Sequence, residues 1–91
     1  MLTISSALII RNKKIFLQKR AKTVSRFPGF WGFPGGKNDL GETPEIACVR
    51  EVKEEINLDF QILTLFHHNI DDSGQVYSYL GKESGVINLQ E

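Results

Sequence analysis

The stretch Gly35–Leu58, GGKNDLGETPEIACVREVKEEINL, decides how this 91-residue chain is read. It holds six of the eleven acidic residues: Asp39, Glu42, Glu45, Glu51, Glu54 and Glu55. Thr43 is placed to cap a helix, since its hydroxyl can accept an N–H that the first turn leaves unpaired. Pro44 suits the first helical position, where a missing N–H is no loss. The pattern predicts a helix over about 44–56. Asn57 ends it, because Asn tolerates the left-handed cap conformation. Gly35 and Gly36 allow backbone angles closed to other residues, and residues 37–42 read as a loop.

At about 100° per residue, Glu51, Glu54 and Glu55 gather on one side of this helix around the small Ala47. Val52, Ile56, Val49 and Ile46 gather on the other. The expectation is an apolar face packed on a sheet and three carboxyl groups on the opposite face. These residues alone leave two readings open. One is a solvated face, because like charges at this spacing cost only about 0.2–0.5 kcal/mol per exposed pair. The other is a seat for a hard cation such as Mg²⁺, which takes carboxylate, water and phosphate oxygens.

Working outward, TISSALIIR reads as a strand whose ALII run is buried on both faces. Asn12 and Lys13 make a turn. KIFLQKRA alternates Ile15, Leu17 and Lys19 against Phe16, Gln18 and Arg20, so it returns as the second strand of a hairpin. Residues 21–30 form a basic loop, and FWGFP is a short strand stopped by Pro34. LDFQILTLFHHN, QVYSYLGK and VINL read as strands separated by turns at DDSG and ESG. His67 and His68 point apart as surface strand residues, and Cys48 is a packed free thiol. Strands around one helix make the fold class α+β with a mixed sheet.

The hydrophobic fraction of 41% is that of a globular chain. No apolar run approaches the roughly 18 residues of a membrane span. Basic residues follow the first apolar run, which argues against a secretory signal. A single cysteine fits a reducing cytoplasm. Net charge is zero, but residues 1–38 hold eight basic groups and no acid, while all eleven acids follow. Such halves either attract each other or form a cationic wall facing an acidic one across a polyanionic ligand. Long nucleic acid is not an expected partner without a net basic surface, and neither is a membrane.

From Gly36 the spacing is Gly, five residues, Glu42, seven residues, Arg50-Glu51, Val52, Lys53, Glu54-Glu55, Ile56, Asn57, Leu58. This closely resembles the Nudix box, G-x5-E-x7-R-E-U-x-E-E-x-G-U with U apolar, placed at 36–58. The one departure is Asn57 where the family has Gly. The FPGG before the box and the strands around it are similar to the MutT-like branch, which cleaves nucleoside triphosphates.

The resemblance implies an α/β/α sandwich with a mixed sheet, here a single Nudix domain over 1–91 that lacks the last strand and second helix. A sheet bared on one face should expose apolar surface, which a homodimer would cover. The resemblance further implies Mg²⁺ or Mn²⁺ held by Glu51, Glu54 and Glu55 with the Gly35 carbonyl. Glu91 falls where MutT-like enzymes place a further metal-binding glutamate. Arg50 would position a glutamate by an ion pair, Glu51 would be the leading base, Gly36 would support the loop, and Glu42 would support the loop or a second metal. Arg20, Phe33 and Lys37 are the residues expected to touch a nucleotide substrate. The implied reaction is hydrolysis of a nucleoside diphosphate linked to another group, foremost a normal or oxidised (d)NTP. Dinucleoside polyphosphates, ADP-ribose, capped RNA ends, or binding without catalysis are the alternatives.

Overall fold

The computed structural model describes residues 2–19 and 31–84. Strand β1 (Leu2–Arg11) is the spine of the main sheet. Asn12 and Lys13 then turn the chain with φ of 52° and 64°, the paired positive angles of a tight hairpin turn. β2 (Lys14–Ile15) pairs back on the end of β1. β3 (Gln18–Lys19) and β4 (Trp31–Gly32) form a separate two-stranded ribbon. β5 (Gly35–Lys37) lies antiparallel against Ile4, Ser5 and Ser6 of β1.

Helix α1 (Pro44–Ile56) follows the predicted bounds, and both caps are as read. The Thr43 hydroxyl accepts from the Ile46 N–H at 3.2 Å, and Asn57 takes φ 59° and ψ 30°. β6 (Asp59–Asp71) and β7 (Gly74–Ser84) make a long antiparallel hairpin, and β7 runs parallel to β1 from Leu2 to Ile9. The order β2-β1-β7-β6, with β5 also on β1, is a five-stranded mixed sheet carrying one helix.

The helix packs on one face of this sheet. Ala7 and Ile9 of β1, Cys48, Val52 and Ile56 of α1, then Leu58, Phe60 and Tyr79 form the core. Tyr79 also donates to Glu45 at 3.3 Å, tying β7 to the first turn of the helix. Cys48 is buried as expected, and its Sγ donates to the Ser6 carbonyl at 3.5 Å. Burial pushes its thiol up to about 12.

Several expectations need correction. The buried helix residues are Ala47, Cys48, Val52 and Ile56, whereas Ile46 is 58% exposed and Val49 38%. Small residues let helix and sheet approach closely, so Ala47 and Cys48 face the sheet although a count of bulky apolar side chains favours Ile46 and Val49. Ile10 is half exposed, so the ALII run is buried only through Ile9. KIFLQKRA is split into two short pieces, and Gly35–Lys37 is a strand where angles and loop were expected. ESG does not turn at Glu83: β7 continues to Ser84, with Glu83 opposite Phe60 and bonded to Arg11. VINL and the basic loop lie outside the described residues.

Among the described residues β6 is an edge strand of the sheet. It exposes Leu63, Leu65, Phe66 and Ile70, apolar surface of the kind anticipated for a bare sheet. His68 is exposed but stacks on Tyr77, with ring centroids 4.0 Å apart. Among the described residues no helix is long and apolar enough to cross a membrane.

Candidate metal and phosphate site

Arg50 organises the site. A guanidinium has five N–H donors in a fixed plane, and Arg50 makes five hydrogen bonds. Nε and Nη2 fork onto the Glu42 carboxylate at 2.7 and 2.9 Å. Nη1 donates to Glu51 at 2.9 Å and to Glu54 at 3.0 Å. Nη2 also donates to the Lys37 carbonyl at 3.1 Å. Glu42 accepts in addition from the Asp39 N–H at 2.7 Å. The Arg50 fork and this backbone bond hold its carboxyl below the usual carboxylate range. Asn38 ties the start of the loop to β1: its N–H donates to the Thr3 carbonyl and its Oδ1 accepts from Ser5. The loop between β5 and α1 is thus clamped from both sides.

The acids do not all face away from the sheet. Glu51 and Glu55, four residues apart on one helix face, turn inward beneath α1 toward β5. The Glu51 side chain is only 16% exposed, whereas that of Glu54 is 59% exposed. The glycines explain why. A Cβ built on Gly36 would stand 2.6 Å from the Glu51 carboxyl carbon and from Oε2. Gly36 therefore leaves the slot that the Glu51 carboxyl fills. A Cβ on Gly35 would stand 2.2 Å from the Ser5 carbonyl oxygen, so Gly35 lets β5 and β1 touch. An expectation of three acids displayed together on the far side of the helix is thus corrected: one points outward and two point in.

Glu55 is the most perturbed acid of the site. Burial, then a hydrogen bond shared with Glu51 and the Glu51 charge, lift its carboxyl to about 7. Donors from Gln18 and the Gly35 N–H pull the other way. Sequence reasoning missed Gln18. The available signal was alternation: Phe16 packs against the core, so Gln18, two residues on, points the same way. The Gln18 Oε1 atom is buried without a hydrogen-bond partner, a condition that costs about 1–3 kcal/mol. Asp39, whose carboxylate lies 3.6 Å from Arg50, was also not singled out.

Of the remaining expected site residues, Phe33 is 38% exposed. Lys37 is an exposed strand residue whose carbonyl Arg50 engages. Arg20 and Glu91 lie outside the described residues.

Among the described residues no three His, Cys, Asp or Glu side chains are grouped as a ready metal centre, and Arg50 bonds both Glu51 and Glu54. The donor set still fits a hard divalent cation in type. Three glutamates, Glu42, Glu51 and Glu54, surround a single guanidinium, and Glu55 bonds to Glu51. Two of their carboxyl groups are pressed together, which requires a proton or a cation between them.

The NUDIX domain family matches this chain over residues 1–90. An 8-oxo-dGTP diphosphatase of Escherichia coli K12 is 45% identical over 60 residues, covering 64% of this chain and 46% of that protein. One of Proteus vulgaris is 44% identical over 55 residues, covering 60% of this chain and 48% of that protein. The aligned part thus spans about half the length of these relatives. A solved MutT NUDIX hydrolase from Burkholderia pseudomallei is 30% identical, with a TM-score of 0.77 over 99% of this chain and 74% of that one.

Proposed function

Because the chain belongs to the Nudix family, we propose that it forms the catalytic part of a divalent-metal-dependent nucleotide pyrophosphohydrolase. The proposed substrate is a (d)NTP, normal or oxidised, cleaved to the monophosphate and pyrophosphate. The observation that carries this reading is the Arg50 cluster, in which three glutamates meet one guanidinium and a fourth, Glu55, bonds to Glu51 beside the two glycines of β5. The names of the relatives, 8-oxo-dGTP diphosphatases, support the substrate class.

In this reading Glu51, Glu55 and Glu54, with the Gly35 carbonyl, hold Mg²⁺ or Mn²⁺. The ion, when bound, supplies charge neutralisation at the phosphate oxygens and a more acidic water. Arg50 fixes Glu51 and Glu54 at the same moment that it anchors the loop through Glu42. Glu51 takes the proton of the attacking water. Water adds to phosphorus, and the phosphorus–oxygen bond to pyrophosphate breaks. Phe33, just before β5, and Lys37, its last residue, are the candidates to meet base and phosphate, with Arg20 and Glu91 as further contributors by family position.

The test is product analysis on a panel of dGTP, 8-oxo-dGTP, dATP, ADP-ribose, a dinucleoside polyphosphate and a capped RNA, with and without Mg²⁺. Monophosphate and pyrophosphate from the triphosphates, lost in Glu51→Gln, are expected. Unchanged turnover in Glu51→Gln, or turnover confined to the last three substrates, contradicts the proposal.

A further inference from the structure

Gln18 raises a problem that packing does not answer. Its side chain donates to Glu55, while its Oε1 is buried without a donor. The two polar atoms of a carboxamide share one carbon, so this oxygen sits beside the Glu51–Glu55 pair. Among the described residues, the neighbours named there are acceptors or donors already used: Glu51 is bonded to Arg50, and the Gly35 N–H is given to Glu55. An apolar side chain of similar length would fill the space without leaving an acceptor unpaired. The position suits a donor brought by a ligand, one drawn to a site rich in carboxylates. Water bound to a divalent cation is such a donor, because the ion polarises its O–H bonds.

We propose that Gln18 is a positioning residue of the site, holding the Glu55 carboxylate through Nε2–H while Oε1 accepts a hydrogen from a water on the bound cation. This inference rests on the pyrophosphohydrolase reading. It adds an acceptor from β3, a strand outside the helix and β5 that carry the other ligands. Groups that orient the ligands of a metal matter nearly as much as the ligands.

The test is calorimetric Mn²⁺ titration of the wild type, Gln18→Met and Gln18→Glu, with folding followed by circular dichroism. Gln18→Met keeps the length and removes both polar atoms. Its Kd for Mn²⁺ is expected to rise about 10–100-fold. At saturating Mn²⁺ its kcat falls while the nucleotide KM holds. Gln18→Glu restores acceptor oxygens, so its Mn²⁺ affinity recovers toward wild type. A purely structural role predicts the reverse, since another carboxylate beside Glu51 and Glu55 would disturb the fold more than Met does. Wild-type affinity in Gln18→Met, or Gln18→Glu binding no better than Gln18→Met, overturns the inference and leaves the functional reading intact. A wild type that binds no Mn²⁺ overturns both. Should Gln18→Met not fold, Gln18→Glu decides alone: affinity near wild type supports the inference and lost affinity refutes it.

Discussion

Adding one methyl group to each of two neighbouring glycines should separate folding from chemistry. In Gly36→Ala the new Cβ would lie 2.6 Å from the Glu51 carboxyl carbon and Oε2, and 2.8 Å from Oε1. That is about 1 Å inside ordinary contact. The obstacle is the end of a flexible side chain, so the carboxyl moves and the backbone stays. Gly36 is not among the residues with positive φ, so alanine fits its backbone and stiffens the unfolded chain by about 0.4–1 kcal/mol. The net change in stability should stay within about 1 kcal/mol. A displacement of about 1 Å at a reacting group costs on the order of 100-fold in rate, or about 2.7 kcal/mol of barrier. Gly35→Ala is the contrast. Its Cβ would meet the Ser5 carbonyl oxygen at 2.2 Å and the Ser6 Cα at 2.6 Å, backbone atoms that cannot swing aside. Opening the β5–β1 pairing should cost about 2–4 kcal/mol, a fall in Tm of roughly 10–30 °C. Thermal melts and metal-dependent nucleotide turnover read both variants. Equal destabilisation of the two, or wild-type turnover in Gly36→Ala, refutes the placement of Glu51 against β5.

Other substitutions test separate parts of the account. Arg50→Lys cannot replace a planar fork with five donors, so kcat should fall about 10–100-fold, with increased proteolysis of the 37–42 loop as a second readout. Retained kcat would show that one positive charge suffices. Thr43→Ala removes the N-cap and should lower stability by about 1 kcal/mol in urea titration; no change would mean that the cap contributes nothing. Cys48, fully buried with its thiol pushed up to about 12, should react with a disulfide reagent at pH 8 only as fast as the protein opens. Fast labelling in native buffer would contradict its burial. Val52→Ala, at a position with no exposure, should cost about 2 kcal/mol, visible as a lower midpoint of denaturation.

The helix and its bounds were legible because caps are local chemistry: Thr43, Pro44 and Asn57 each act on bonds within one turn. The mixed sheet was legible from the apolar run of β1 and from the DDSG turn between β6 and β7. The orientation of the helix was less so. A helical wheel weighs side chains by size, but the structure buries Ala47 and Cys48 because small residues permit close approach, and turns Ile46 and Val49 outward. The same rotation carries Glu51 and Glu55 under the helix. The slot that receives them depends on Gly36 lying against β1 through the Ser5 pairing, a contact between segments about thirty residues apart. The resemblance to the Nudix box named Arg50 and Glu42 as partners of the loop and the glutamates. It left out Gln18, because that residue reaches the site from a strand well before the box.

The claim on which the rest stands is that Glu51 and Glu55, side by side beneath α1 and against β5, receive a divalent ion. Crystals soaked in Mn²⁺ and measured for anomalous scattering test it most directly. The account predicts a peak at the Glu51 and Glu55 carboxyl groups, lost in Glu55→Gln. A peak confined to the solvent-facing Glu54, or one that survives in Glu55→Gln, would contradict it.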